Sequence, residues 1–344
     1  MNTDLSSRSF CLYGTGKAAR KLAETLRERG IEIKKFIDHL SLKETHIMGI
    51  PCVQPNELRG DDDHVILAFF NREAQVQSIA LSLGQRKIYT LPEIYLKLSL
   101  AFESFWFSSV INSHQIKEGV DRLSKHITEK KSLELLDFLK NFRLTGDLKY
   151  YPKPQGFDDQ YFPHDIPGWE NSMITSFVDC GAYDGDTFLL AQKKLQLARY
   201  IGFEPDSMNY SQAKKRIGSH ETHYQIFPFA TWYKNETLFF SDDHQESSHV
   251  STQGKPIQGV RLDDYLNQDY DLLKIDVEGA DLQTLQGATN WIKKHRPKIA
   301  VSLYHRPTDL WEIPLFLAKL DLNYKFYLRQ HGEQGMDTLL YALP

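Results

Sequence analysis

The amino-acid sequence predicts an α/β protein: two mostly parallel, helix-flanked sheets joined by a helical connector. Three observations carry this. Strand and helix signals alternate over residues 1–91 and again over 151–344, the pattern of parallel strands linked by crossover helices. Each half contains a glycine turn set between an apolar strand and a helix. The chain closes on two strand-like runs around Gly332 and Gly335, which read as an antiparallel hairpin. A length of 344 residues suffices for two hydrophobic cores.

In the first half, Ser9–Tyr13 reads as a strand, Lys17–Arg29 as a helix stopped by Gly30, and Glu32–Ile37 as a second strand. His64–Phe70 is a buried-strand pattern, Arg72–Leu83 a helix stopped by Gly84, and Lys87–Tyr89 a short strand. Over 92–150 the pattern is helical only. Ile94, Leu98, Phe102, Phe105 and Ser109 follow one apolar face, and Leu133, Leu136, Phe138 and Leu139 another. Tyr151–Gly168, rich in Pro, Gly and Asp, reads as a linker into the second domain.

The second domain begins with strand Ile174–Cys180, helix Thr187–Leu195, strand Tyr200–Glu204 and helix Ser207–Ile217. Strand Asp271–Asp276, helix Ala280–Lys293, strand Lys298–Leu303 and helix Leu310–Lys319 follow, then the hairpin Tyr324–Arg329 and Thr338–Ala342. Both domains are therefore expected to be Rossmann-like, the second being doubly wound and larger.

Composition narrows the classes. The formal net charge of −4, without a long basic run, disfavours a nucleic-acid binder that relies on neutralising phosphates. Cys11, Cys52 and Cys180 form no CxxC pair, so reduced thiols and a cytoplasmic setting are expected. The polar start, Met1 to Ser9, lacks a signal-peptide core. The greasiest stretch, Ile94 to Ile111, is broken by Lys97 and Glu103, and no membrane span is expected.

The chemistry-bearing signals lie in the second half. FVDCGAYDGDT (177–187) runs from an apolar strand through Gly181 and Gly185 to a helix near Thr187. Such a turn lets backbone approach a ligand and offers helix N–H groups, as nucleotide sites do. Glu204 ends the next strand, 23 residues after Gly181, where an acid can accept both hydroxyls of a ribose. In DLLKIDVEGAD (271–281), Lys274 and Asp276 stand two apart on one side of an apolar strand. A lysine there needs an anionic partner, and Asp276 and Glu278 are the nearest in sequence. His305 directly follows another apolar strand.

DCGAYDGDT, GFEPD, RLDDYL, KIDVEGAD, RPKIAVSLYH and the closing DTLLYAL, preceded by QYF (160–162), together resemble the FkbM family of methyltransferases over roughly 155–344. The resemblance implies S-adenosyl-L-methionine as methyl donor and a hydroxyl group as acceptor. It places Asp179, Gly181, Ala182, Tyr183, Asp184, Gly185 and Thr187 at the methionine and ribose end of the cofactor. Glu204 would hold the ribose, with Pro205, Asp206, Phe229 and Ala230 bordering the adenine. Tyr183 within the glycine turn, and Asp184 where many relatives carry Asn, depart from the usual pattern.

Methyl transfer to an alcohol needs an aligned sulfonium and a base for the hydroxyl proton. His305 and Asp276 are the candidate bases, while Lys274 could orient Asp276 or an acceptor oxygen and Glu278 stands beside them. Asp276, Glu278 and His305 could between them hold a divalent metal, since hard oxygen ligands suit magnesium, but nothing in the spacing demands one and none is expected. The expected acceptor is a hydroxyl on a sugar, nucleotide-sugar or other small molecule, and the sequence is compatible with a homo-oligomer. The alternatives are a non-catalytic cofactor-binding or assembly module and a dinucleotide oxidoreductase. In the first half, FCLYGTGKAAR (10–20) places Gly14 and Gly16 between strand and helix, and Asp38 ends the following strand. With GIPCVQPNEL (49–58), this resembles small Rossmann-like domains of sugar-modifying enzymes and implies a possible second ligand.

Overall fold

A computed structural model describes residues 5, 8–39, 45–108, 111–218, 223–240, 250–251 and 254–344. The chain divides into two units. One comprises Met1–Ile116, Asp137–Pro154 and Gly332–Met336; the other comprises Lys117–Leu136, Gln155–His331 and Asp337–Pro344.

The first unit is a six-stranded sheet built from β1 (Ser9–Tyr13), β2 (Glu32–Ile37), β3 (His46–Ile47), β4 (Ile50–Val53), β5 (His64–Leu67) and β6 (Lys87–Thr90). The order is β3-β4-β2-β1-β5-β6, parallel except for the β3–β4 pair. β1 is central and nearly all buried, as its apolar run requires in a sheet covered on both faces. Helix α1 (Lys17–Glu28) buries Ala19, Leu22, Ala23 and Leu26, one face at helical spacing. Helix α2 (Val76–Ser82) is shorter than its sequence pattern. Strands β3 and β4 were not expected from sequence.

Helix α3 (Leu91–Lys97) starts at Thr90, whose side chain accepts the Glu93 N–H, and ends before Ser99, which is left-handed at φ 49°. The helical periodicity expected through Phe102 and Phe105 stops there. Instead β7 (Glu103–Ser104) and β8 (Phe107–Ser108) form a short hairpin with Phe105 in its turn. The aromatic residues mimic a helical stripe, but they pack as a cluster. Phe102 lies 4.6 Å from Tyr95, and Trp106 lies 5.7 Å from Phe70 and 5.6 Å from Phe142, centroid to centroid. Ser109 lies outside the described residues. Helices α4 (Ser113–Ser124) and α5 (Lys130–Thr145) follow, and the first two boundaries between the units fall within them. On α5, Leu136 and Leu139 are buried, whereas Leu133 and Phe138 are exposed.

The second unit holds β9 (Ser176–Cys180), α6 (Asp186–Lys194), β10 (Arg199–Phe203), α7 (Ser207–Ile217) and β11 (Tyr224–Phe227). A small four-stranded sheet follows, made of β12 (Ala230–Thr231), β13 (Glu236–Phe240), β14 (Val250–Ser251) and β15 (Lys255–Val260). Sequence reading missed it. After α8 (Leu262–Tyr265) come β16 (Leu272–Ile275), α9 (Asp281–Gly287), α10 (Thr289–His295), β17 (Lys298–Ser302) and α11 (Asp309–Lys319). The hairpin β18 (Lys325–Gln330) and β19 (Thr338–Leu343) ends the chain as expected.

The main sheet runs β11-β10-β9-β16-β17-β19-β18, with β19 antiparallel to both neighbours and the first five strands parallel. The strand order reverses beside β9, so the cleft beyond the carboxyl ends of β9, β10 and β16 is where such a sheet binds ligands. The single helix expected over 280–293 is two helices meeting at Ala288. A side chain on Gly287 would stand 2.0 Å from the Trp232 carbonyl oxygen, so only glycine permits this approach. The segment expected as a linker is core instead: Tyr161, Phe162, Ile166 and Trp169 pack with Phe177, Tyr200, Leu272 and Tyr341. Burying each such ring contributes about 1.5–3 kcal/mol, which an exposed linker would forgo.

Candidate active site

At the end of β9 the chain turns through Gly181 (φ 82°), Tyr183 (φ 46°) and Gly185 (φ 90°) into α6. Gly181 is required sterically, because a Cβ there would meet the Asp276 carbonyl oxygen at 1.9 Å. Its role is thus close packing against the end of β16, as well as any opening toward a ligand. Tyr183 has no such licence, and a left-handed residue with a side chain costs about 1–2 kcal/mol. The turn holds it there: Gly181 and Ala182 donate to the Phe203 carbonyl at 3.0 Å each, and Tyr183 N–H donates to Glu204 Oε2 at 2.9 Å. Its ring remains 57% exposed at the cleft.

Glu204, one residue past β10, is buried. Its Oε1 accepts the Asp206 N–H at 2.8 Å while Oε2 accepts that of Tyr183. Each oxygen therefore has one lone pair committed to backbone and one left for a ligand donor. Burial outweighs these two donors and pushes the carboxyl up to about 7. Asp206 uses Oδ1 to cap α7, accepting the Met208 and Asn209 N–H groups at 3.0 and 2.8 Å. Asp184 pairs with Arg216 at 2.6 Å, Thr187 and Ala182 are buried, and Pro205 is half-buried. Phe229 stacks on Phe227, centroids 6.0 Å apart, and meets the edge of Tyr265, with Ala230 buried beside it.

Lys274 does not take the partner nearest in sequence. It is paired across the sheet with Asp179, the residue opposite it in register, at 2.8 Å, and donates to the Gly181 carbonyl at 2.5 Å. Tyr200 OH donates to the other Asp179 oxygen at 2.9 Å. Both charged residues are buried. Burial opposes the Lys274 charge, but Asp179 and then Asp276 outweigh it and hold the ammonium protonated. Lys274 and Asp179 thus form an ion pair under the glycine turn, where each fixes the other and Lys274 tethers the turn.

Asp276, just past β16, and His305, just past β17, are brought together. His305 Nδ1 lies 2.8 Å from Asp281 Oδ2, and Nε2 lies 3.1 Å from Asp276 Oδ1 and 3.6 Å from Glu278 Oε2. Tyr161 OH donates to Asp276 Oδ2, and its ring lies beneath Lys274 Nζ. Asp281 also accepts the Val277 and Gly279 N–H groups, clamping a turn in which Glu278 is left-handed at φ 50°. Burial opposes the His305 charge, yet Asp281, Glu278 and Asp276 raise it well above the ordinary histidine range. Burial likewise opposes ionisation of Asp276, but His305, Lys274 and Tyr161 hold its carboxyl below the usual carboxylate range. Nearby Asp309 is pushed up to about 7, first by burial and then by the Asp281 charge. Among the described residues, Asp276, Asp281 and His305 each offer one ligand atom, all within 4.8 Å of one another.

Sequence reasoning missed Tyr161 and Asp281 as members of this cluster. Both lie in quoted strings, QYF and KIDVEGAD, but only the fold brings residues 161, 276 and 305 to one place. In the first unit, Gly14 and Asp38 lie at the ends of β1 and β2, and Gly16 follows at the start of α1. Gly14 N–H donates to the Ile37 carbonyl at 2.8 Å, and Thr15 Oγ1 donates to Asp38 Oδ2 at 2.7 Å. Gly16 begins α1 with no side-chain cap.

Residues 179–329 match the methyltransferase FkbM domain family. The crystal structure of methyltransferase FkbM from Methylobacillus flagellatus KT is similar over 97% of this chain and 89% of that one, with a TM-score of 0.72 at 19% identity. An rRNA methylase from Streptococcus thermophilus aligns over 51% of this chain and 90% of that one, with a TM-score of 0.34 at 11% identity. No curated protein matches. Among the described residues, no helix is long and apolar enough to cross a membrane.

Proposed function

We infer, from the match of residues 179–329 to the methyltransferase FkbM domain family, that this protein transfers a methyl group from S-adenosyl-L-methionine to a hydroxyl of a small-molecule acceptor. The observation that carries the reading is Glu204. Its two carboxylate oxygens are each fixed by one backbone N–H at the carboxyl end of β10, with capacity left for the two hydroxyls of a ribose. The Gly181–Gly185 turn would receive the methionine end, and Phe229 the adenine side.

The acceptor hydroxyl would meet Asp276 and His305, at the neighbouring strand ends. His305 is held charged by its carboxylate neighbours, so it is not a ready base; Asp276 is the group that faces the acceptor proton. Positioning of hydroxyl oxygen, methyl carbon and sulfur in line supplies the main rate effect. The oxygen–carbon bond forms as the carbon–sulfur bond breaks, leaving neutral S-adenosylhomocysteine. A sugar or nucleotide-linked alcohol is the acceptor class we favour, and the Gly14–Gly16 turn with Asp38 in the first unit is a separate candidate ligand site.

Calorimetry with S-adenosylmethionine and with NAD tests the cofactor. Binding of the former alone, weakened about 100-fold by Glu204→Ala, is expected. Absence of S-adenosylmethionine binding, or indifference to Glu204→Ala, would overturn the assignment.

A further inference from the structure

His305 has its tautomer set from one side. Asp281 Oδ2, already accepting the Gly279 N–H, lies 2.8 Å from Nδ1, so Nδ1 carries a proton and donates. Nε2 then points at carboxylate oxygens, 3.1 Å from Asp276 Oδ1 and 3.6 Å from Glu278 Oε2. A neutral imidazole would face them with its lone pair, which is repulsive. Nor does a proton on Nε2 resolve the contact, since neither Nε2 nor Asp276 Oδ1 has a hydrogen-bond partner of acceptable geometry although both atoms are buried. The His305 side chain is 2% exposed. With His305 charged the contact is an ion pair at 3.1 Å, but its two buried atoms make no well-formed hydrogen bond and so keep bonding capacity for a ligand.

The same spacing suits two ligands of one ion. Donors at right angles on a cation, with bonds of about 2.1 Å, stand about 3.0 Å apart. A carboxylate on the far ring nitrogen is also the usual second-shell support of a metal-bound histidine. We propose that His305 Nε2 and Asp276 Oδ1 hold a divalent cation, with Glu278 in reach as a further oxygen ligand and Asp281 as the orienting outer carboxylate. Mixed imidazole and carboxylate donors suit Mn²⁺ better than Ca²⁺. The site deepens the methyl-transfer reading and rests on it: an entering cation displaces the Nε2 proton of His305 to water, and Asp276 then serves as its ligand in place of acting as base. The cation would bind the acceptor hydroxyl oxygen, lower its proton affinity and let that proton leave to water, so that the alkoxide takes the methyl group.

The test uses the full-length protein, stripped with EDTA and titrated with Mn²⁺ alone, free Mn²⁺ being read by electron paramagnetic resonance. One Mn²⁺ per chain is expected. Binding should weaken about ten- to a hundredfold or more in Asp276→Asn and in Glu278→Gln; Glu278, being 44% exposed, serves as the variant least able to disturb folding. S-adenosylmethionine binding is measured by calorimetry on the same samples. Failure to bind stoichiometric Mn²⁺, or binding unchanged in both variants, overturns the site while leaving the methyltransferase reading intact if S-adenosylmethionine still binds. Loss of S-adenosylmethionine binding in the stripped wild-type protein, not restored by Mn²⁺, counts against that reading instead.

Discussion

Glu204 was expected from its position at a strand end, but its properties come from burial and two backbone donors. Glu204→Ala should weaken S-adenosylmethionine binding by about 100-fold, since charge-assisted hydrogen bonds contribute about 1.5–3 kcal/mol each; calorimetry reads this directly. Because the carboxyl is pushed up to about 7, wild-type affinity should be highest above pH 7 and fall as pH drops toward 5, when protonation removes an acceptor. The stability linkage has the opposite sign. A carboxyl raised above its unfolded value favours the fold fully below about pH 4.5, and this is lost as pH rises through 7. Lys274 marks the limit of residue-level reasoning. Its need for an anion was evident from the apolar strand, but the partner was set by register with β9. Lys274→Met, leaving Asp179 charged and buried, should destabilise the fold by about 3–5 kcal/mol, and pairing it with Asp179→Asn should recover much of that loss in thermal melts.

The long periodic elements of the second unit were readable because one buried face repeats at a fixed period: α7 occupies 207–217 as expected, and β9, β10, β16 and β17 shift by at most two residues. The failures have local causes. Aromatic spacing over 98–105 imitates a helix, yet Ser99 is left-handed and the rings of Phe102 and Phe105 pack against Phe70. The helix over 280–293 breaks because Gly287 admits the Trp232 carbonyl. Gly181→Ala and Gly287→Ala, whose Cβ atoms would lie 1.9 and 2.0 Å from carbonyl oxygens, should therefore lower the melting temperature severely or prevent soluble expression. Gly16→Ala, with nothing within 4 Å of its Cβ, should change stability by less than about 1 kcal/mol. Comparative thermal melts of the three variants distinguish steric necessity from mere glycine content.

Across the whole molecule, neither compact unit is a single continuous stretch of chain. Residues 117–136 belong with the second unit. There Arg329, 1% exposed, is bound by Glu129 at 2.7 and 2.8 Å, and Ser132 Oγ accepts the Leu328 N–H. A fragment of residues 151–344, the second domain as sequence delimits it, lacks Glu129 and leaves Arg329 with Asp165, at 2.9 Å, as its carboxylate partner. It should melt below a fragment that begins at residue 117, by an amount reflecting about 1.5–3 kcal/mol for the lost charge-assisted hydrogen bonds. The insertion of 332–336 into the first unit likewise means that residues 1–100 alone should not fold as that unit does, which circular dichroism would detect.

The sequence by itself determined the α/β class, the glycine turn, the acid at the end of the second strand of the second domain, and the closing hairpin. Each of these depends on spacing within a short run of chain, where backbone periodicity maps residues to faces. The tertiary structure decided what depends on register and on contacts between distant residues. Asp179 is the partner of Lys274 because β9 and β16 align those two residues. Tyr161, the Asp276–Asp281 turn and His305 converge because three separate segments meet at the carboxyl ends of β16 and β17, and no spacing along the chain encodes that meeting.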